Sequence, residues 1–218
     1  DKEVQAILRQ FEQSPLPVEA FNIFVPSQLK VTGNEVDFDQ LKRFVQTALE
    51  RVHRVGGETI VFGSGGARKL PDSFSQQTGE NQIARFLDMV ADVAEPLGIT
   101  IVIEPLYKKA SNIIHTVPEA VQMAKKVNRK SIQVLADFFH MMEEDDNLDN
   151  IATYKQYIKH IHVSDNYYPP GTGQYPFPRF VEAVKKANYN SRISIECIWD
   201  DFDNQVNEAL QYVKKQFR

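Results

Sequence analysis

Short β-branched runs alternate along this chain with longer stretches whose apolar residues recur at helical spacing, and that alternation restricts the fold to a parallel sheet wound with helices. Phe21 to Val25, Thr59 to Phe62, Thr100 to Ile103, Ile132 to Leu135, Ile158 to Val163 and Ile193 to Cys197 read as six strands. Each is short, nearly continuously apolar and bounded by polar or glycine residues. Phe38, Leu41, Val45, Ala48, Leu49 and Val52 mark one amphipathic helix; Ile83, Phe86, Leu87, Val90, Val93, Ala94 and Leu97 mark another. Gly56, Gly57 and Gly98 suit the ends of these helices, because glycine accepts the left-handed conformation that closes a helix. Further helices are predicted near Pro118 to Val127, Leu148 to Tyr157, Phe177 to Ala187 and Val206 to Phe217, and one around Val4, Ile7, Leu8 and Phe11 precedes the first strand.

Two parallel folds fit this pattern, the closed eightfold β/α barrel and the open doubly wound sheet, and both place ligands at the carboxyl ends of their strands. An open sheet gathers functional residues at one switch point. Here polar residues end nearly every strand after the first, at Gly63, Glu104, Asp137, His162 and Glu196, which favours the (β/α)8 TIM barrel. Six strands are two short of eight. The expectation is that residues 1–218 form a single β/α barrel domain, incomplete at its N-terminus, with the first two strands upstream of Asp1.

Composition narrows the partners. The formal net charge of −4 is spread over interspersed charges of both signs, unlike the basic surface that nucleic acid attracts. No apolar run approaches the roughly 20 residues of a membrane span. Cys197, the single cysteine, excludes an internal disulfide and fits a reducing compartment, so a cytoplasmic protein is expected. A homo-oligomer is left open.

Four ionisable residues cap four consecutive strands: Glu104 after Ile-Val-Ile, Asp137 after Val-Leu-Ala, His162 after His-Ile and Glu196 after Ile-Ser-Ile. Neighbouring strands lie about 4.8 Å apart, so convergence on one point requires longer side chains on the outer two strands, where the glutamates stand. Three carboxylates and an imidazole form a mostly hard donor set that suits one divalent ion, Mn²⁺ or Mg²⁺ ahead of Co²⁺ or Zn²⁺. Without a cation the carboxylates would repel and raise one another's pKa. Each residue alone has a plainer reading, since a strand-end Asp is usually a helix cap and a Glu is usually solvated or paired. Four in register are harder to explain that way.

Glu104-Pro105-Leu106, Asp137-Phe138-Phe139-His140, His160-Ile161-His162-Val163-Ser164-Asp165 and Ser194-Ile195-Glu196 resemble the xylose isomerase-like barrel superfamily, and within it the sugar phosphate isomerase/epimerase members. That group includes ketose 3-epimerases, hydroxypyruvate isomerases and inositol-pathway isomerases and dehydratases. The resemblance runs from about Phe21 to the C-terminus, with Gly63-Ser64-Gly65-Gly66-Ala67-Arg68 and Pro170-Gly171-Thr172-Gly173 adding to it. It implies a sugar or sugar-acid substrate and an isomerase or epimerase working by proton transfer through a metal-stabilised enediolate. In this reading Glu104 and Glu196 hold the metal and also move protons on opposite faces of the substrate carbon, while Asp137 and His162 mainly hold the metal. It also implies two strands before Phe21. The chain departs from several epimerases at Ala110, where they carry a second glutamate, and at Asn166, Tyr167 and Tyr168, where they carry an arginine.

Other candidates are less marked. His140, three residues after Asp137, resembles a family histidine that contacts a substrate oxygen. Arg68 and its glycine-rich turn could meet an anionic group, as could Lys108 and Lys109, although loop lysines are usually solvated. Trp199 could stack on a sugar face or simply pack at the rim. His160 points to the same side as His162 but one layer deeper and reads as a core histidine; Cys197 reads as packing. A dehydratase of the same fold is the main alternative function. An apurinic endonuclease would need further histidines than His53 and His115 offer, and a silent sugar-binding module would have little use for two flanking glutamates.

Overall fold

The structure, a computed structural model, describes residues 2–218. They divide into two compact units, one of residues 2–103 and 125–132 and the other of residues 104–124 and 133–218.

The first unit contains α1 (Lys2–Glu12), β1 (Ala20–Phe21), α2 (Phe38–Arg54), β2 (Thr59–Phe62), α3 (Gly65–Arg68), α4 (Gln76–Ala94) and β3 (Thr100–Ile103). β1 pairs in parallel with β2, Phe21 opposite Ile60, and β2 with β3, Phe62 opposite Ile103. α2 buries Leu41, Val45, Leu49 and Val52, a single stripe at helical spacing. Asp37 starts it, accepting the Gln40 N–H at 2.9 Å, and the chain leaves it through Gly56 at φ +82°. α4 starts at Ser75, whose hydroxyl accepts the Thr78 N–H, and leads to Gly98 at φ +69°. Between these helices and the strands, Phe62 and Phe86 meet at 5.4 Å between ring centroids, and Phe24 packs on both.

The second unit receives α5 (Val117–Val127) and β4 (Ile132–Asp137), each crossing the boundary, then α6 (Phe138–Glu143), α7 (Asn150–Thr153), β5 (Ile158–Val163), α8 (Phe177–Lys186), β6 (Ile193–Ile195) and α9 (Phe202–Phe217). β4 and β5 run parallel with Asp137 opposite His162, and β5 and β6 with Val163 opposite Ile195. Phe138 stacks on Phe180 at 4.5 Å and meets Phe177 edge-on at 5.7 Å, an aromatic core in which one Phe→Ala change would cost about 3–5 kcal/mol.

All six expected strands are present and parallel to their partners within each unit, but two are shorter than expected. The first stops at Phe21 because Ile23 lies at φ +53°, a left-handed conformation unfavourable for a β-branched residue, with its N–H held by the Asn22 side chain at 2.8 Å. Phe24 rejoins the ladder, its N–H reaching the Val61 carbonyl. The last strand ends at Ile195 rather than Cys197. The helix expected over Leu148 to Tyr157 reduces to Asn150–Thr153, because the Tyr157 carbonyl already accepts the Val134 N–H and the chain is entering the sheet. Among the described residues no helix is long and apolar enough to cross a membrane.

Candidate metal centre

Glu104 follows β3, Asp137 ends β4, His162 lies in β5 and Glu196 follows β6, and all four belong to the second unit. Each contributes one ligand atom to a group in which all these atoms lie within 4.8 Å of one another. The imidazole is at its middle: Nδ1 of His162 is 2.6 Å from Glu196 Oε2, 3.1 Å from Glu104 Oε1 and 3.6 Å from Asp137 Oδ2. Glu104, Asp137 and His162 are buried, while the Glu196 side chain keeps 41% exposure and forms the open side.

Asp137 serves two purposes at once. Its Oδ1 accepts the His140 N–H at 2.9 Å and caps α6, leaving Oδ2 turned toward His162. The cap reading of a strand-end aspartate is therefore true of it, and its second oxygen is left for the candidate site. Glu196 is fixed through its backbone, its N–H donating to the Val163 carbonyl at 3.1 Å so that the chain holds ladder geometry one residue past β6.

The electrostatics express a site built around positive charge. Burial, aided by the charges of Asp137 and Glu196, pushes the Glu104 carboxyl upward against the lowering effect of its His162 hydrogen bond. Burial would also raise Asp137, but hydrogen bonds and charge from His162 and His140 outweigh it and hold its pKa below the usual value. Burial opposes charge on His162, yet hydrogen bonding to Asp137, Glu104 and Glu196, whose carboxylates accept, raises it well above an ordinary histidine. One imidazolium thus answers three carboxylates. A divalent ion would balance them better, and donors within 4.8 Å of one another suit a shared ion whose ligand distances are about 2.0–2.2 Å. The residues present fit such an ion.

The remaining sequence candidates fall in varied settings. His140 is buried on α6 rather than in a loop; its Nδ1 accepts the Tyr107 N–H at 3.4 Å and its ring stacks on Tyr107. Lys108 is exposed and engages Glu144, its ammonium at 3.0 Å and its N–H at 2.7 Å. Trp199 is half-buried and meets Phe202 edge-on at 5.3 Å. Arg68 is wholly buried in the first unit, where Nη1 donates to the Phe62 carbonyl at 3.0 Å and the guanidinium lies over the Phe62 ring. The side chain is thus turned into the interior of that unit. His160 is a core histidine, 2.8 Å from Ser194 Oγ.

Sequence reasoning missed two features beside the site. Tyr107, Phe139, Tyr167 and Tyr175 form an aromatic group, and Asp165, buried three residues past His162, ties down the following loop. Asp165 accepts the Gly173 N–H at 2.8 Å and the Tyr175 N–H at 3.1 Å. A Cβ at position 173 would collide with the Asp165 carboxylate, which explains the second glycine of Pro170-Gly171-Thr172-Gly173. Clustered aromatics and an Asp next to a Gly-rich turn were the available signals.

Among characterised proteins, the chain is 27% identical over 160 residues to a 3-dehydro-D-guloside 4-epimerase of Escherichia coli, covering 70% of this chain and 61% of that protein. It is 31% identical over 163 residues to a D-psicose 3-epimerase of Agrobacterium fabrum, covering 71% and 55%. The chain thus spans little more than half the length of these relatives. The fold matches the crystal structure of a D-allulose 3-epimerase from Methylomonas sp. in complex with D-allulose, with a TM-score of 0.89, 19% identity and coverage of 98% of this chain and 82% of that one. The sequence profile of the xylose isomerase-like TIM barrel matches residues 1–216, so the chain belongs to the xylose isomerase-like TIM barrel family.

Proposed function

We propose that this chain carries the active centre of a divalent-metal-dependent sugar epimerase or isomerase, acting on the carbon next to a keto group. The observation that carries this reading is the convergence of two glutamates, Glu104 and Glu196, on the one imidazole of His162, at 3.1 and 2.6 Å. The names of the relatives support it, since a 3-dehydro-D-guloside 4-epimerase and a D-psicose 3-epimerase are each named for inverting a carbon adjacent to a ketone.

Glu104, Asp137, His162 and Glu196 would hold the metal. When bound, such an ion draws electron density from a chelated keto oxygen and so favours loss of the neighbouring C–H proton to give an enediolate. The hard oxygen-rich donor set suits Mn²⁺ or Mg²⁺. Glu104 and Glu196 then divide the proton transfers: one carboxylate takes the proton from carbon and the other carboxyl returns one. Return to the opposite face inverts the centre, and return to the neighbouring carbon interconverts aldose and ketose. The electron pair of the broken C–H bond goes to the keto oxygen and comes back when the proton is restored. Asp137, with one oxygen committed to capping α6, has only the other free for the site and is suited to holding rather than shuttling.

The test is proton exchange in D₂O with added Mn²⁺, followed by NMR over a set of ketoses, keto-glycosides and inososes. Deuterium at the carbon next to the ketone, lost on chelation, is the expected result. Loss of water from the product without deuterium return would instead identify a dehydratase. No exchange into any of them would overturn the proposal.

A further inference from the structure

Each of the four site residues is followed closely by an aromatic residue, and three of these gather together: Tyr107 three positions after Glu104, Phe139 two after Asp137 and Tyr167 five after His162, whereas Trp199, three after Glu196, meets Phe202. Their rings meet. Phe139 and Tyr167 lie 3.7 Å apart between centroids, Tyr107 meets Phe139 edge-on at 5.3 Å and Tyr167 edge-on at 6.2 Å, and Tyr107 stacks on His140 at 5.3 Å. Phe139 is the buried foundation at 2% exposure, while Tyr167 keeps 37% and faces solvent.

The backbone holds Tyr167 in place at a cost. Asn166 and Tyr167 lie at φ +55° and +68°, a conformation that is strained for a bulky aromatic residue by about 1–2 kcal/mol. The turn is closed by the paired hydrogen bonds between Asp165 and Tyr168. The Tyr167 carbonyl accepts the Ile198 N–H at 2.6 Å, two residues past Glu196, which ties the aromatic wall to the open edge of the metal centre. Burial, the Tyr107 hydroxyl and the charges of Asp137 and Glu196 all push the Tyr167 phenol upward, so the ring feels the site's carboxylates and its hydroxyl keeps its proton.

We infer that Tyr107 and Tyr167 are specificity-determining residues that seat the C–H face of a ring-closed keto sugar, a keto-glycoside, against the metal centre. The inference rests on the function proposed above. A pyranose locked as a glycoside presents a flat face of axial C–H bonds that packs on an aromatic ring, with hydroxyls at its edge for the tyrosine O–H groups. A ketose that must open to expose its carbonyl presents no such face during the reaction.

The test compares deuterium exchange by the Mn²⁺-loaded protein into a methyl 3-keto-glucopyranoside and into D-psicose. The wild type is expected to favour the keto-glycoside, and Tyr167→Ala to lower its kcat/KM relative to that of D-psicose by about 10-fold, through KM. Tyr167→Phe is expected to keep the wild-type ratio, because the stacking face remains. Tyr107→Leu reads the wall independently should Tyr167→Ala fail to fold, and Mn²⁺ titration checks that each variant retains its centre. An unchanged ratio in Tyr167→Ala or, should that variant not fold, in Tyr107→Leu overturns the inference. Exchange into D-psicose alone overturns it while leaving the epimerase reading intact, and exchange into neither sugar overturns both.

Discussion

Nδ1 of His162 approaches Oε2 of Glu196 to 2.6 Å, closer than to either buried carboxylate, although Glu196 is the most exposed of the four. Hydrogen bonds to the three carboxylates raise the His162 pKa well above that of an ordinary histidine despite its burial, and a protonated nitrogen must lose its proton before it can bind a metal. Metal binding is expected to release a proton and to tighten as pH rises toward the raised His162 pKa. Calorimetric titration of Mn²⁺ in two buffers of different ionisation enthalpy counts the proton directly, and a buffer-independent heat would contradict this account. The same raised pKa gives the metal-free protein stability that is full below about pH 6.5 and lost as pH rises through the folded-state value.

Removing one ligand at a time separates holding from proton transfer. Asp137→Asn should lose both metal affinity and turnover while keeping the α6 cap, since an amide that keeps its oxygen on the His140 N–H offers only a neutral NH₂ to the site. Glu196→Gln, at the open edge, should retain more metal than Asp137→Asn while losing about 10²–10⁴-fold in kcat. Atomic-absorption metal content set beside kcat for the two variants checks this. Turnover in Glu196→Gln at the wild-type rate would remove that glutamate from the chemistry.

Much of this architecture is legible from residue pattern. The β-branched runs locate all six strands and the apolar spacing locates the long helices, because burial on one face imposes the period that is read. Ile23 shows where that fails: an apolar β-branched residue suits a strand locally, yet the Asn22 side chain captures its N–H and turns it to positive φ. The candidate metal centre is legible because strand ends converge by geometry. Arg68 is not, since the direction taken by a side chain after a glycine turn depends on tertiary contacts. The wall of Tyr107, Phe139 and Tyr167 is hidden for the same reason: two loops and the first turn of the short helix α6 supply it, and none of them is long enough to show a period.

His160 gives a second pH signature, opposite in sign to that of His162. Burial first, and then the charge of His162, lower its pKa to about 4 from 6.5, while its Nε2 lies 2.8 Å from Ser194 Oγ. The folded state prefers neutral imidazole, so its contribution is present above about pH 6.5 and is lost as pH falls toward 4. Urea denaturation between pH 7 and 4 should show stability declining across that window, and His160→Gln should flatten the decline. An unaltered pH profile in the variant would assign the acid sensitivity elsewhere.

Arg68 offers the sharpest contrast between a substrate-facing cation and a structural one. Its side chain is fully buried, donates to the Phe62 carbonyl at 3.0 Å and covers the Phe62 ring at 5.6 Å, while its own carbonyl and that of Lys69 accept from the Thr32 hydroxyl. Arg68→Ala removes the donor, leaves the carbonyl without that bond in an apolar setting and opens a cavity beside Phe62. The expected loss is about 2–4 kcal/mol of stability, seen as a lower urea midpoint at constant slope. Lysine should recover little, because a flexible ammonium cannot reproduce a planar group stacked on a ring. If Arg68 instead served an anionic substrate, the variant would keep its urea midpoint and show a raised KM, so the two measurements together distinguish these roles.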